Sequence, residues 1–408
     1  MRYATIALAA AMWLLPPDVA RGENWAQFRG PNGAGRAAGP FTEAMTPANI
    51  AWKTDLPGVG HSSPIVWSDH VYVTSANTDD ARRWVICLSA DTGKELWRHE
   101  LKFITHRKHR DNSFASPTPC TDDQGIYVVF TTPQEYTLLS LGHDGKERWK
   151  TSLGRYDSNH GGGASPMVHG DLVYVNFDQE SETSALRAFD RTTGKQIWAT
   201  EHRTRGKAAM STPVVFRPSG GGEQIVFTTW GGGIRALDPK TGKALWTAED
   251  VFFSRPIGTP QVTADLVVGV CGEGNGTRSL VAVKPADGKA TVVYKIDQLG
   301  PHVPSPLILG DRLVLLNDLG QLTVGDLATG RAHWSQKLPA AFYGSPVAVS
   351  NVIWAVSKTG TLFGLRLEAD KAVELCTVDL GGKCHTTPAV ADGRMFVRTE
   401  STVVCLKK

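Results

Sequence analysis

Four histidines stand shortly before a hydroxyl residue followed by proline: His61 before Ser63-Pro64, His160 before Ser165-Pro166, His302 before Ser305-Pro306 and His385 before Thr387-Pro388. A neutral imidazole is a metal ligand, and a protonated one attracts anions. Four of them at similar points of a repeating pattern are expected near one face of the fold, around its axis. Their offsets from the proline are three, six, four and three residues, so they do not share one register. The plainer reading is polar loop residues at different radii. A second cluster is cationic. His106-Arg107-Lys108-His109-Arg110-Asp111-Asn112 is a run of basic and imidazole side chains, and Arg155 and Arg255 stand at comparable points further on. Guanidinium groups grip carboxylate, phosphate or sulfate at two points. Arg107, Arg110, Arg155 and Arg255 are therefore candidates for holding a small anionic ligand, with Asp157, Glu273 and Asp318 as acidic complements. A charge run is otherwise a solvated loop.

Other chemistry is absent from the sequence. No Walker loop, zinc-protease helix or nucleophile elbow occurs. Gly161-Gly162-Gly163 and Gly231-Gly232-Gly233 read as turns and close packing at strand ends. The six cysteines, Cys87, Cys120, Cys271, Cys376, Cys384 and Cys405, form no Cys-x-x-Cys or adjacent pair. Buried free thiols are the expectation, with a Cys376–Cys384 disulfide as the alternative in an oxidising compartment.

The elements that must position these residues repeat. A small or hydroxyl residue followed by proline occurs at Ser63, Ser116, Ser165, Thr212, Thr259, Ser305, Ser345 and Thr387, at intervals of 40 to 53 residues. Each opens three short apolar stretches, then a tight turn such as Asp91-Thr92-Gly93-Lys94 or Thr241-Gly242-Lys243. Four residues past the turn glycine stands Trp97, Trp149, Trp198, Trp246 or Trp334; in the fifth repeat the position holds Val292. A large aromatic at one fixed position predicts a wedge between neighbouring units. Four strands in about 45 residues is the size of a propeller blade. The eighth unit ends at Lys408 without its fourth strand, and Ile50–Leu56 is a spare strand ahead of the first unit. Pairing the two would close a ring of eight and remove open sheet edges. The expected fold is all-β, an eight-bladed β-propeller of four-stranded antiparallel blades over residues 49–408.

The remaining N-terminal residues have a different character. Arg2 followed by an apolar run to Leu15, then Pro16-Pro17 and the small residues Ala20 and Gly22, predicts a cleaved signal peptide over 1–22. The run is too short for a membrane span, which needs roughly 20 apolar residues, and no lipid-attachment cysteine follows it. Residues 23–48 form a lead-in segment. The expected location is the periplasm or the medium. A net charge of +3 gives no case for nucleic acid as a partner, and the expected state is a monomer with no transmembrane span.

The repeats resemble the pyrroloquinoline quinone (PQQ) type repeat. The resemblance rests on an aliphatic–Asp–x–x–Thr-Gly-Lys–x–x–Trp pattern, read as Leu237 to Trp246 and again as Phe189 to Trp198, and it covers residues 49 to 408. The lead-in Trp25-Ala26-Gln27-Phe28-Arg29-Gly30-Pro31 is also similar to that of exported bacterial proteins with this repeat. The family includes quinoprotein alcohol dehydrogenases and the cofactor-free outer-membrane assembly propeller BamB. The dehydrogenase branch implies PQQ held over a calcium-type ion by oxygen ligands, with a Cys-Cys disulfide capping the ring. No Cys-Cys pair is present here, and no ligand set maps residue by residue. The sequence therefore assigns no metal, no cofactor and no catalytic residue. It favours a non-catalytic scaffold for a protein partner or small anionic ligand, with a PQQ-dependent oxidoreductase as the alternative.

Overall fold

A computed structural model describes residues 24–408 except 182, 275 and 287. The expected signal peptide at 1–22 lies outside the described residues. The helices among the described residues are two short 3-10 turns, Pro31–Gly33 and Pro47–Asn49; everything else regular is strand. The strands pair into four-stranded antiparallel units whose innermost members are Ile65–Trp67, Cys120–Thr121, Met167–His169, Val214–Phe216, Gln261–Val262, Leu307–Leu309, Val347–Val349 and Ala389–Ala391. These define units one to eight. Units four and five are joined into one eight-stranded sheet by a short parallel pairing of Trp246 with Gly288 and Thr247 with Lys289.

Burial explains the residue pattern within a unit. In the first unit His70–Ala76 and Arg83–Ser89 are almost wholly buried, because both sheet faces are covered by neighbours. The outermost strand, Glu95–Leu101, alternates exposed and covered residues. The spare strand behaves as expected. Ile50–Asp55 pairs antiparallel with the C-terminal strand Thr402–Lys407 and so completes the eighth unit.

Each unit's outer strand carries a β-bulge one residue before the wedge register, as between Ala188 and Phe189 opposite Trp198. The same shift recurs in the other outer strands. A bulge adds local twist and re-aims the following side chain, here toward the next unit. Trp52 lies over Gly93 of the first unit, where a Cβ would stand 2.5 Å from the indole. Gly93 also needs its positive φ of 71° for the turn. Indole N–H groups of Trp52, Trp97, Trp149 and Trp198 donate to the carbonyls of Ala90, His143, Arg191 and Pro239 at 2.8–3.2 Å, each in the next unit.

Two predicted wedge positions differ from the pattern. Val292 is exposed. Tyr294, two residues on, takes the role, donating to Leu327 O at 2.7 Å and packing on Gly330. Here the outer strand begins at Gly288 itself, so counting four residues past the glycine lands short. Trp246 donates instead to Gln224 Oε1 of its own unit, at 2.7 Å. In the seventh unit Cys376 holds the wedge register opposite Gly364. There the lead-in fills the gap: Trp354 packs edge-on against Phe41 and donates to its carbonyl at 2.9 Å. All six cysteines are free thiols, which removes the Cys376–Cys384 disulfide. Cys384 Sγ bonds Arg398 O, and Cys376 Sγ accepts from Met45 N.

Candidate functional site

Every unit is entered through a link that ends in the hydroxyl-proline step, and six of the eight steps bond to the next around the axis. Backbone N–H groups donate to the hydroxyl of the next unit: Ser63 to Thr118, Thr118 to Ser165, Thr259 to Ser305, Ser305 to Ser345, Ser345 to Thr387, and Thr387 to Ser63, at 2.9–3.0 Å. The last bond joins the eighth unit to the first. In the second unit the step is Thr118-Pro119. The expected Ser116-Pro117 comes one dipeptide early, and Ser116 instead bonds Asn112 within the link.

With Thr118 in place the wall above the hydroxyls falls into register. Two residues before each hydroxyl stand His61, Ser116, Gly163, Met210, Ile257, Val303, Tyr343 and His385. All line one cavity of about 470 Å³ at the axis. His109, Arg110, Asp111, Asn112, His160, Arg255 and His302 stand around the same cavity.

The opposite end of the axis is crossed by the lead-in. Trp25 pairs with Val66, Ala26 O accepts from Thr121 N, and Asn32 exchanges two bonds with Val215. Gln261 donates to Gly33 O, and Ala348 N donates to Gly35 O. Arg29 is wholly buried and donates to the carbonyls of Gly33, Ser305, Pro306 and Pro346. A Cβ on Gly35 would overlap that guanidinium, so only glycine lets the chain pass. Six units are tied to one segment, and its Phe28 reaches the cavity from this side.

Three residues on the cavity lining each carry a buried side-chain nitrogen with no hydrogen-bond partner among the described residues: Arg255 Nη1, His302 Nε2 and His385 Nδ1. Native structures leave few such groups unpaired. The imidazoles of His61, His302 and His385 are neutral near pH 7. Burial, with smaller pushes from His385, Arg398 and Lys108, lowers the pKa of His61 to about 2. Burial lowers those of His302 and His385 to about 4, against an upward pull from Asp318 and Asp111 respectively. His61 and His385 meet edge to face with ring centres 4.4 Å apart, and Tyr343 follows 5.0 Å from His385.

A family model described as outer membrane protein assembly factor BamB matches residues 81–271 and 277–371, more than half of the chain. The chain belongs to that family. Among solved structures this BamB-family chain is similar to BamB from Moraxella catarrhalis, at TM-score 0.63 and 16% identity over 88% of this chain and 97% of that one. It is similar also to quinohemoprotein alcohol dehydrogenase from Comamonas testosteroni, at TM-score 0.65 and 14% identity over 95% and 81%. These likenesses show the β-propeller fold. The tetrathionate hydrolase of Acidithiobacillus ferrooxidans is 24% identical over 227 residues, 52% of this chain and 41% of that protein, so the match spans less than half of that curated relative.

The cavity of this BamB-family propeller does not fit a calcium-bound quinone. Calcium takes six to eight oxygen ligands. The carboxylate on the lining is Asp111, whose Oδ2 accepts from Tyr343 OH at 3.3 Å. Among the described residues no three His, Cys, Asp or Glu side chains converge as a metal site. The other polar groups on the lining are the guanidiniums of Arg110 and Arg255, imidazoles, hydroxyls and the Asn112 amide.

The structure brings together six of the eight candidate residues: His61, Arg110, His160, Arg255, His302 and His385. Arg107 and Arg155 are exposed and line none of the cavities described here. Only His61 and His385 share a repeat position and touch. The acidic residues act elsewhere. Asp318 accepts from the backbone N–H of His302 at 2.8 Å and of Val303 at 3.1 Å, shaping that link. Glu273 pairs with Lys207, and Asp157 accepts from Ser181. Sequence reasoning missed Phe28, Met210 and Tyr343. Thr118-Pro119 would have revealed the wall, since it restores one register at every unit.

Proposed function

We propose that this protein is an exported, non-catalytic binding propeller that holds a small anionic ligand at the axial cavity. The observation that carries the reading is the convergence on one cavity of Arg255, His302 and His385, each with a side-chain nitrogen left unpaired among the described residues. A carboxylate, phosphate or sulfate offers acceptors to the Arg255 N–H and to imidazole N–H groups. A charge-assisted bond of this kind is roughly twice as strong as a neutral one. The neutral imidazoles add hydrogen bonds without competing charge, and Arg110 lies at the rim. Export is supported by the apolar N-terminus and by the family description, which names an outer membrane assembly factor. Among the described residues no helix is long and apolar enough to cross a membrane.

The test is calorimetric titration of the mature chain, residue 23 onward, with monocarboxylates, dicarboxylates, sulfate, phosphate and sugar acids. Saturable binding is expected for at least one, weakened about tenfold or more by Arg255→Gln. PQQ with calcium is titrated beside them. Calcium-dependent PQQ binding with dye reduction on alcohols would replace this reading by an oxidoreductase. Silence from every anion and from PQQ would leave a scaffold for a protein partner, as the family description suggests.

A further inference from the structure

A second cavity of about 580 Å³ adjoins the axial one and shares His61, Arg110, Asp111, Asn112 and His385 with it. It runs outward over the junction of the seventh, eighth and first units. Lys108, Arg110, Lys358 and Lys383 line it. None of these four makes an ion pair among the described residues. Other surface cations do, as Arg82 with Asp80, Arg98 with Glu95 and Lys207 with Glu273. Two acids also line it: Glu400, 3.9 Å from the neutral His61, and Asp111, which accepts from Tyr343. The four cations outnumber the two acids, so the concavity carries a net positive potential.

Two of the lysines are held in place. Lys358 Nζ lies 3.7 Å from the centre of the Tyr343 ring. Lys108 Nζ lies 5.3 Å from that of Phe114 and donates to Asn112 O at 2.7 Å. These cation–π contacts fix the charges at little further entropic cost. They also occupy the aromatic faces on which nucleic-acid bases would stack. Between the charges the lining is hydroxyl and amide: Thr78, Ser113, Thr359 and Asn112.

We infer that the anion at the axis is one end of a longer chain, an anionic oligosaccharide whose sulfate or carboxylate groups continue outward along Lys108, Arg110, Lys358 and Lys383. This rests on the axial anion site proposed above. Spaced negative charges answer the four cations, and sugar hydroxyls answer the neutral groups between them. The apolar ring face of the terminal sugar meets Met210, Ile257 and Val303.

The experiment is calorimetry on the mature chain with monosaccharide sulfates and uronates, and with size-graded sulfated and uronate-only oligosaccharides, at low and high salt. Affinity is expected to rise about tenfold or more from monosaccharide to tetrasaccharide, and to fall as salt rises. The double variant Lys358→Ala/Lys383→Ala should lose the gain with length and keep the monosaccharide affinity. Arg255→Gln should weaken both. The sulfated and uronate series show which charge the cleft reads. Length-independent affinity, unchanged in the lysine double variant, overturns this inference and leaves the axial site standing. Oligosaccharide binding that needs the lysines, with no monosaccharide binding and no effect of Arg255→Gln, upholds the cleft and removes the axial site. Tighter binding of an acidic peptide or single-stranded DNA of matched charge overturns the choice of saccharide.

Discussion

The axial cavity has two walls built from one repeat position, and they differ in chemistry. The seventh, eighth, first and second units place Tyr343, His385, His61 and Ser116 there. The third to sixth units place Gly163, Met210, Ile257 and Val303. Met210 leans across the vacant position of Gly163, where a Cβ would meet its sulfur. The hydroxyl-proline links set the height of each side chain, so the two walls are equivalent in place. What differs is the residue, and with it the ligand surface each wall can meet: hydrogen-bonding edges on one side, an apolar face on the other. A repeat thus supplies a scaffold of equal positions, and point differences within it make a site.

The largest expected effect is acid destabilisation from the buried histidines around the cavity. The folded pKa values of His61, His302 and His385 lie at about 2, 4 and 4, below an unfolded value of about 6.5. From pH 6.5 downward the unfolded chain binds protons that the folded chain does not, so stability present above pH 6.5 is lost as pH falls toward the folded values. By pH 5 each histidine should cost about 1–2 kcal/mol. Urea midpoints measured from pH 7 to pH 5 check this, and a flat profile would refute the neutral, buried state of these histidines.

Next in size is Arg29→Ala, which removes the floor under both walls. It strips donors from buried carbonyls of the lead-in and of units six and seven, at a cost of about 3 kcal/mol or more. An unchanged denaturation midpoint would show that the lead-in is held by its other bonds. His385→Gln should flatten the acid slope by about 1–2 kcal/mol at pH 5 while leaving pH 7 stability nearly intact. The smallest change is Met210→Ala on the opposite wall. This residue is half-buried, so stability should move by no more than about 1 kcal/mol, with the pH slope untouched. Affinity should fall only for anions that carry an apolar face. A shift of the pH slope by Met210→Ala would mean that the walls are coupled rather than separate.

Much of the fold was legible. The turn glycines, the tryptophans and the spare strand Ile50–Leu56 are local signals, and apart from Trp246 the structure uses them as read. The errors were errors of counting. The fifth repeat holds Val292 where the others have tryptophan, and the wedge, Tyr294, stands two residues further on. Ser116-Pro117 masked Thr118-Pro119, and with it the shared register of the wall. The site was half legible. His61 and His385 meet, but no spacing rule could show it, since they lie 324 positions apart and touch only where the eighth unit joins the first. Arg107 and Arg155 carried the right chemistry on links that turn them to solvent. The lead-in was recognised as a motif, yet nothing local told that Arg29 would cap the axis.

Strand pattern, turn chemistry and the order of the units follow from the amino-acid sequence, because each depends on neighbours a few residues away and repeats often enough to be read. Which side chains share the cavity, which end of the axis is blocked and which cations stay unpaired were decided by tertiary structure. Those properties are sums over links drawn from every unit, and a difference of one or two residues in a link moves a side chain from the lining to the solvent.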